Sequence, residues 1–444
     1  MPKKPVKPAA APAVKKPGKK KAQLLRGMKD TLPQEQHYWE YLRDGVVQAS
    51  RAYGYDRIDV PMMEEYGLFV RSVGTTSDIV EKEMYVFETK GEDTVALRPE
   101  FTAGMCRAYI EHGMMNQPQP LKLWTDGAIF RYDRPQAGRY RQFHQSDWEI
   151  MGSPQPALDA ELISLGQHLL NDLGLQVTVF VNSIGCRECR PNYISVLREY
   201  LKEHKKNLCE TCKLRMVKNP LRVLDCKEEA CRMITTEAPH TVDNLCEACR
   251  EHFMKVLEYL DEGEIQYRLQ PRLVRGLDYY SRTTFEFVLK SEENEPSPAA
   301  IIGGGRYDYL IEDLGGPGHV PAVGMAMGME RVILAIKEAA VPVAEAPKPD
   351  VFLAQIGETA RKRALKMFEE LRKAGIAVAS NISKNGLSDQ LSLANRAQAK
   401  LTLILGQKEM MDNTIIIRDM NTTSQETIGQ DKLIASLKKR LSDM

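Results

Sequence analysis

The 444-residue chain has no apolar run near the roughly 18 residues that a membrane-spanning helix needs, so a helical membrane anchor is excluded. Residues 1–21, MPKKPVKPAAAPAVKKPGKKK, have no acid and no apolar stretch of the signal-peptide kind. They also lack the arginine and serine of a transit peptide. A cytoplasmic location is therefore expected. The glycine run GGGRYD at 303–308 is not followed by the spacing of a dinucleotide or Walker loop.

The charge that is present is unevenly placed. Residues 1–21 carry eight lysines, and without them a net charge of +1 becomes −7. Lys, Pro and Ala cannot build a core, so residues 1–22 are expected to form a disordered basic tail. The tail reads either as a solubilising segment or as a loose, salt-sensitive attraction to a polyanion such as RNA. Of nine cysteines, Cys106 stands alone and eight lie between Cys186 and Cys249. Without a secretion signal, reduced thiols or a metal are favoured over disulfides.

The chain is long enough for two or three domains. Residues 23–340 read as a core interrupted by a helical, Cys-rich insertion at 183–262. Pro and Ala in VPVAEAPKPD make 341–350 a linker. Residues 351–444 read as a small α/β domain. Its first helix places Ala360, Ala364, Met367, Phe368 and Leu371 on one face, with Gly375 as a stop. IAVAS, LTLILG and TIIIRDM read as its strands.

The stretch FRYDRPQAGRYRQFHQSDWE, Phe130 to Glu149, carries most of the chemistry. Pro135 and Gly138 mark a long loop between two extended segments, hence a hairpin. Period-two alternation puts Phe143, Gln145, Asp147 and Glu149 on one face, with Trp148 and Ile150 on the other. Acceptors in a row suit a cationic small molecule. Arg131, Arg134, Arg139 and Arg141 suit phosphates, because a guanidinium offers paired donors. The alternative is a solvated hairpin whose arginines pair with its own acids. Further on, RGLDYY sets Arg275 near Tyr279 and Tyr280, within a segment of strand composition. GGGRYD reads as a glycine-rich turn that lets backbone approach a ligand. PAVGMAMGMERVILAIKEA reads as a strand running into a helix, and Arg331 near its start reads as exposed.

Taken together, FRYDRPQAGRYRQFHQ, LVRGLDYYSRTTFEF, GGGRYD and GMAMGMERV resemble, in order, signatures of the histidyl-tRNA synthetase family of class II aminoacyl-tRNA synthetases. RAYGYDRIDVPMMEE, with Pro61, resembles the family's dimer-forming motif. The resemblance spans roughly 23–444. It implies an α/β chain with an α+β catalytic core, in which helices flank a class II-like antiparallel sheet. It also implies a C-terminal α/β anticodon-binding domain and a homodimer. The implied activity is a ligase: ATP and L-histidine give histidyl-adenylate, which is passed to the 3′ end of the histidine tRNA.

The resemblance also implies residue roles. Arg131 and Arg275 would serve the chemistry at the α-phosphate. Phe143 and Arg331 would sandwich adenine, with Arg131 completing the ATP contacts. Glu100, Thr102 and Gln145 would hold the α-amino group. Glu149 and Tyr280 would bond the imidazole, with Tyr279 and Tyr307 nearby. Gln136, Arg139 and Arg141 would meet ATP or the tRNA acceptor end. Mg2+ would arrive with ATP, and no residue is assigned to a catalytic metal.

Two features depart from the family pattern. Phe101 stands where glycine is commoner, and its ring either narrows the pocket or points into the core. Residues 350–444 hold 15 Lys/Arg against 11 Asp/Glu, only mildly basic for an RNA-binding domain. Among the cysteines, Cys186-x2-Cys189 followed by Cys209-x2-Cys212 has four-thiolate zinc spacing, and Cys226, Cys231, Cys246 and Cys249 could form a second site. Spacing leaves the pairing open, and also leaves open structural Zn2+ against plain thiols. Two other functions compete. One is a histidine-sensing regulatory subunit of histidine biosynthesis; such subunits typically lack the anticodon domain and have degraded motifs. The other is a zinc-dependent RNA-binding protein, which leaves the ordered motifs unexplained.

Overall fold

The computed structural model describes residues 21–74, 77, 79–134, 138–290, 300–345 and 347–442. The basic tail and Gln136 therefore lie outside the described residues, Lys21 and Ala22 excepted. The chain divides into two compact units between Val343 and Ala344.

The first unit is built on an eight-stranded sheet. Across it run Asp56–Arg57, Leu121–Phe130, Gln142–Met151, Ala322–Gly328, Ile302–Arg306, Ser281–Leu289, Val177–Ser183 and Tyr267–Leu269. The two edge strands pair in parallel and every inner pairing is antiparallel. The expected hairpin is the Leu121–Phe130 and Gln142–Met151 pair, closed by a long loop. Its alternation is as expected. Trp148 and Ile150 are buried on the rear face.

Helices Gln36–Ala52, Pro156–Asp172, Glu247–Glu262 and Met329–Glu338 cover that rear face and complete its core. The Trp148 indole N–H donates to Ser50 Oγ at 2.8 Å, so the buried ring keeps its one donor satisfied. Helix Thr102–Glu111 belongs to a second core with Phe69, Ile129 and Ile311. Phe101 points into this second core, fully buried, with the Arg98 guanidinium 4.3 Å from its ring centre. It therefore does not narrow the pocket.

GGGRYD departs from expectation. It is not a turn: Ile302–Arg306 is a central strand. Its glycines serve close approach. A Cβ on Gly304 would lie 2.4 Å from Gly324 O and 2.6 Å from the Phe285 ring. RGLDYY differs too, lying in the loop before the Ser281–Leu289 strand rather than within it. Of the RGLDYY tyrosines only Tyr280 is fully buried.

The second unit has a five-stranded mixed sheet, ordered Val378–Ser380, Val351–Gln355, Leu401–Leu405, Thr414–Asp419 and Gln425–Gly429. Its helix Glu358–Lys373 buries Ala360, Ala364, Met367 and Leu371, the face expected from their spacing. Gly375 ends it with φ +78°, a conformation that suits glycine at a helix end.

Arg306 pins the first unit. Fully buried, it donates from Nε to Asp159 at 2.7 Å and from Nη1 to Asp308 at 3.0 Å. It also donates from Nη2 to Gln155 O at 2.9 Å. Removing the cation strands two buried carboxylates, a change that costs about 3–5 kcal/mol. Arg306→Met is expected to lower unfolding stability by that order in denaturant titration. A loss below about 1 kcal/mol would show that the pair is not what holds the strand to the Pro156–Asp172 helix.

Candidate active site

The exposed-side face of the sheet forms the floor of a cleft of about 740 Å3. Register explains its shape. Glu149 pairs with Gly324, which pairs with Gly305. Asp147 pairs with Ala326, then Gly303, then Glu286. Two central strands thus present almost no side chain between an acid wall and Glu286. A Cβ on Gly324 would fall 1.5 Å from Glu149 Oε2, and one on Gly303 would fall 2.2–2.4 Å from the Arg275 guanidinium. Glycine at these positions is what admits the two charged groups.

One end of the cleft is acceptor-rich. Glu149 accepts from Thr102 Oγ1 and from Tyr307 Oη, each at 2.6 Å. Glu100 Oε1 accepts from the Ala103 N–H at 2.8 Å, at the start of the Thr102–Glu111 helix. Tyr279 lies 4.7 Å from Tyr280 and 5.7 Å from Tyr307, ring centre to ring centre. Burial pushes the Glu149 carboxyl up to about 8, against the opposing bonds from Thr102 and Tyr307, and Glu100 adds to the rise. Burial, then Glu149 and Glu100, also raises Asp147 well above the carboxylate range. Glu100 is raised mainly by burial. Burial likewise raises Tyr279, Tyr280 and Tyr307, which keeps their hydroxyls protonated. Glu100 Oε2, Gln145 Oε1 and Asp147 Oδ1 are buried without a hydrogen-bond partner. Unmet acceptors on a cleft wall suit a ligand that brings N–H donors and positive charge.

The other end is cationic. Arg131 lies 5.4 Å from the Phe143 ring centre and donates from Nε to Pro99 O at 2.8 Å. Arg331 is half-buried rather than exposed and donates to Ala300 O at 2.6 Å. Burial, then Arg139 and Arg131, depresses the Arg331 guanidinium; Arg275 adds to this and Glu286 opposes it. Arg275 pairs with Glu286 and stands 5.8 Å from the Tyr280 ring centre. Burial disfavours its charge, but Glu286 and Tyr280 hold it above the ordinary arginine range. Guanidiniums this close repel one another, and a polyphosphate would relieve that repulsion.

Of the residues singled out from sequence, Glu100, Thr102, Arg131, Arg139, Phe143, Gln145, Glu149, Arg275, Tyr279, Tyr280, Tyr307 and Arg331 all line this cleft. Arg141 does not. It stacks on Tyr132 at 3.7 Å and donates to Arg26 O at 3.3 Å. Sequence reasoning passed over Glu286, although its alternation with Phe285 and Phe287 was readable. It also passed over Arg222, Asp225 and Lys227, which the insertion contributes to the cleft together with Cys226, a residue read only as a metal ligand. No local pattern marks these.

The structure groups the cysteines, a pairing that spacing left open, in a nested rather than a sequential order. Cys186 and Cys189 join Cys246 and Cys249, while Cys209 and Cys212 join Cys226 and Cys231. The first CxxC leaves the Val177–Ser183 strand and meets the start of the Glu247–Glu262 helix, which returns to the same core. The second set closes inside that loop. In each set all four sulfurs lie within 4.8 Å of one another. All nine cysteines are free thiols.

The histidyl-tRNA synthetase family profile matches residues 27–332, and the anticodon binding domain profile matches residues 350–440. A histidine–tRNA ligase of Dehalococcoides mccartyi is 46% identical over 420 residues, 94% of this chain and 100% of that protein. One of Acetivibrio thermocellus is 41% identical over 417 residues, 94% of this chain and 99% of that protein. The apo histidyl-tRNA synthetase of S. aureus has a TM-score of 0.77 at 32% identity, covering 94% of this chain and all (100%) of that one. A cleft with an acceptor end and an arginine end, on this sheet and with these relatives, places the chain in the histidyl-tRNA synthetase family.

Proposed function

We propose that this chain joins L-histidine to the 3′ end of the histidine tRNA in two steps, using ATP. The observation that carries the reading is the glycine-floored cleft with unmet acceptors at one end and clustered arginines at the other.

In the first step a histidine carboxylate oxygen attacks the ATP α-phosphorus. The bond to the β-phosphate oxygen breaks, and pyrophosphate leaves. Glu100, Thr102 and Gln145 hold the α-amino group, and Glu149 with Tyr280 bonds the imidazole, flanked by Tyr279 and Tyr307. Arg131 and Arg275 stabilise charge at the α-phosphate; alignment and fixed cations suffice, without a protein nucleophile. Phe143 and Arg331 enclose the adenine by stacking and cation–π contact. In the second step the tRNA ribose hydroxyl takes the histidyl group and AMP leaves. Gln136, Arg139 and Arg141 meet the acceptor end.

Magnesium on the ATP phosphates adds charge neutralisation, and Glu286 is the carboxylate beside Arg275 that would help hold it. Each cysteine set holds a structural Zn2+. S···S distances of 3.7, 3.8 and 3.9 Å within the sets would suit a tetrahedral ion with metal–sulfur bonds of about 2.3 Å. Residues 23–340 are the catalytic core and 351–444 bind the anticodon. The enzyme works as a cytoplasmic homodimer. Exposed Met62, Met63, Val86 and Phe87 beside Pro61 support a subunit interface there. Among the described residues no helix is long and apolar enough to cross a membrane.

Histidine-dependent ATP–pyrophosphate exchange tests the reading. Exchange is expected with histidine alone among the amino acids, falling by roughly 10²-fold or more in Arg275→Ala. Folded protein that binds histidine but catalyses no exchange would point instead to a regulatory role.

The raised Glu149 pKa gives a second test. Between about pH 4.5 and its folded value of about 8, the unfolded chain releases a proton that the folded protein retains. Stability of the ligand-free protein therefore declines as pH rises through that window. Glu149→Gln keeps the shape and removes the titration. Its melting temperature is expected to exceed that of the parent near pH 9 and to converge with it toward about pH 5, while exchange is lost. Parallel pH profiles would place the titration elsewhere.

A further inference from the structure

The loop that carries Arg275 is held on one side by the catalytic sheet, where Asn182 Nδ2 donates to Pro271 O at 3.1 Å and to Leu273 O at 2.9 Å, and on the other by the cysteine insertion. Arg272 Nη1 donates to Arg232 O at 3.3 Å and to Thr236 Oγ1 at 3.1 Å. Gly276 O accepts from Arg222 Nη1 at 2.8 Å, and Asp278 Oδ1 accepts from Asn219 Nδ2 at 3.0 Å. Tyr280 O accepts from Arg190 Nη2 at 2.5 Å. Val274 and Tyr280 are buried in the same cluster as Cys212, Val223, Leu224, Cys226 and Cys231. Alternate residues of the loop thus face the insertion, and Arg275 between them faces the cleft.

Of the partners on the insertion side, Arg190 follows Cys189 of the first cysteine set, and the others gather in a second place. Asn219, Arg222 and Arg232 sit within or beside the segment between Cys212 and Cys231, the span fixed by the second cysteine set. Cys226 is itself both a member of that set and part of the cleft wall. Between Lys218 and Glu229 this segment is one short turn, Pro220–Val223, and irregular backbone. Asn219 caps the Glu210–Lys218 helix and Arg222 lies in the Pro220–Val223 turn, and the four sulfurs tie that helix, through Cys212, to the chain on the far side of the turn.

We propose that the Cys209–Cys212–Cys226–Cys231 set is a Zn2+ site that positions Arg275, so that occupancy of this one site sets the rate of adenylate formation. The Cys186–Cys189–Cys246–Cys249 set closes the root of the insertion and meets the loop at its far end, where Arg190 donates to Tyr280 O, rather than at Gly276 and Asp278 beside Arg275. The inference rests on the zinc reading above and adds a division of labour between the two sites. The second set is a positioning element: it acts through Asn219 and Arg222 on Gly276 and Asp278, and touches no substrate. A displacement of Arg275 by about 1 Å would cost roughly 10²-fold in rate, because alignment at the phosphorus is what the loop provides.

The test combines metal content with kinetics on the full-length protein. Purified without chelators, it is expected to hold two zinc ions per chain. Cys226→Ser combined with Cys231→Ser is expected to hold one, to keep the fold by circular dichroism, and to lose pyrophosphate exchange in kcat by about 10- to 100-fold with little change in the KM for histidine. Adding Arg275→Ala to that double variant should cost far less than it costs the parent, since a displaced guanidinium has little left to lose. Asn219→Ala should retain two zinc ions and still lower kcat, which keeps the inference testable should the cysteine variant fail to fold. Absence of zinc from the parent overturns the metal reading itself. Two zinc ions with unchanged kcat in both variants, or full additivity with Arg275→Ala, leaves the metal reading standing and overturns its link to Arg275.

Discussion

The site depends on the absence of Cβ atoms from two adjacent central strands. Gly324 leaves room for the Glu149 carboxylate, and Gly303 leaves room for the Arg275 guanidinium. With Ala326 between Asp147 and Gly303, they make a trough whose floor is backbone. A sheet normally raises alternate side chains on each face, and on this face three neighbours in register raise almost none. The cleft is therefore set by covalent structure that cannot rotate away. Its rear is equally fixed, since Phe285, Phe287, Met325 and Trp148 pack behind the same strands. The Arg306 ion pairs then fasten the end of the Gly-bearing strand to the Pro156–Asp172 helix. Floor, back and anchor belong to one strand and its neighbours.

That rigidity permits a large electrostatic asymmetry. Glu100, Asp147 and Glu149 share one buried end, and each is pushed toward its neutral form by burial. Arg131, Arg275 and Arg331 share the other. Water would relax both ends if the walls could move. Held in place, one end offers unmet acceptors and the other concentrated positive charge, and neither has to reorganise when a ligand of matching charge arrives. The same feature makes the empty cleft unfavourable in the folded protein, which is a stability cost localised at the site.

Much of this was legible in the sequence, for local reasons. The hairpin of 121–151 follows from alternation, and its facing row of Phe143, Gln145, Asp147 and Glu149 needs only a period of two. The Glu358–Lys373 helix follows from a period of 3.6. What was not legible depends on contacts across the chain. GGGRYD looks like a turn because glycine at high density usually signals one. Its role as a strand is fixed by Arg275 and Phe285, neither adjacent to it in sequence. Arg331 looks exposed because only the tertiary fold brings Ala300 and the other arginines around it. The cysteines mislead in the same way. Sequential CxxC pairs suggest successive sites, whereas the chain nests one set inside the other.

Nesting has a physical consequence that successive sites would lack. The Cys186–Cys249 closure encloses most of the insertion in one loop, and the Cys209–Cys231 closure then fixes a shorter loop within it. Loop-closure entropy depends only weakly on length, so the inner closure is formed at modest further cost once the outer one stands. The gain is positional. A buried cluster containing Tyr193, Leu197, Met216 and Val223 backs the loop that carries the cleft-lining Arg275. The inner cysteine set brackets the turn at Pro220–Val223 and fixes its position, with Cys226 itself on the cleft wall. The hydrogen bonds from Asn219 and Arg222 then carry that fixed position across to Asp278 and Gly276. An insertion that is peripheral in sequence becomes, by this route, part of the wall at the arginine end of the cleft.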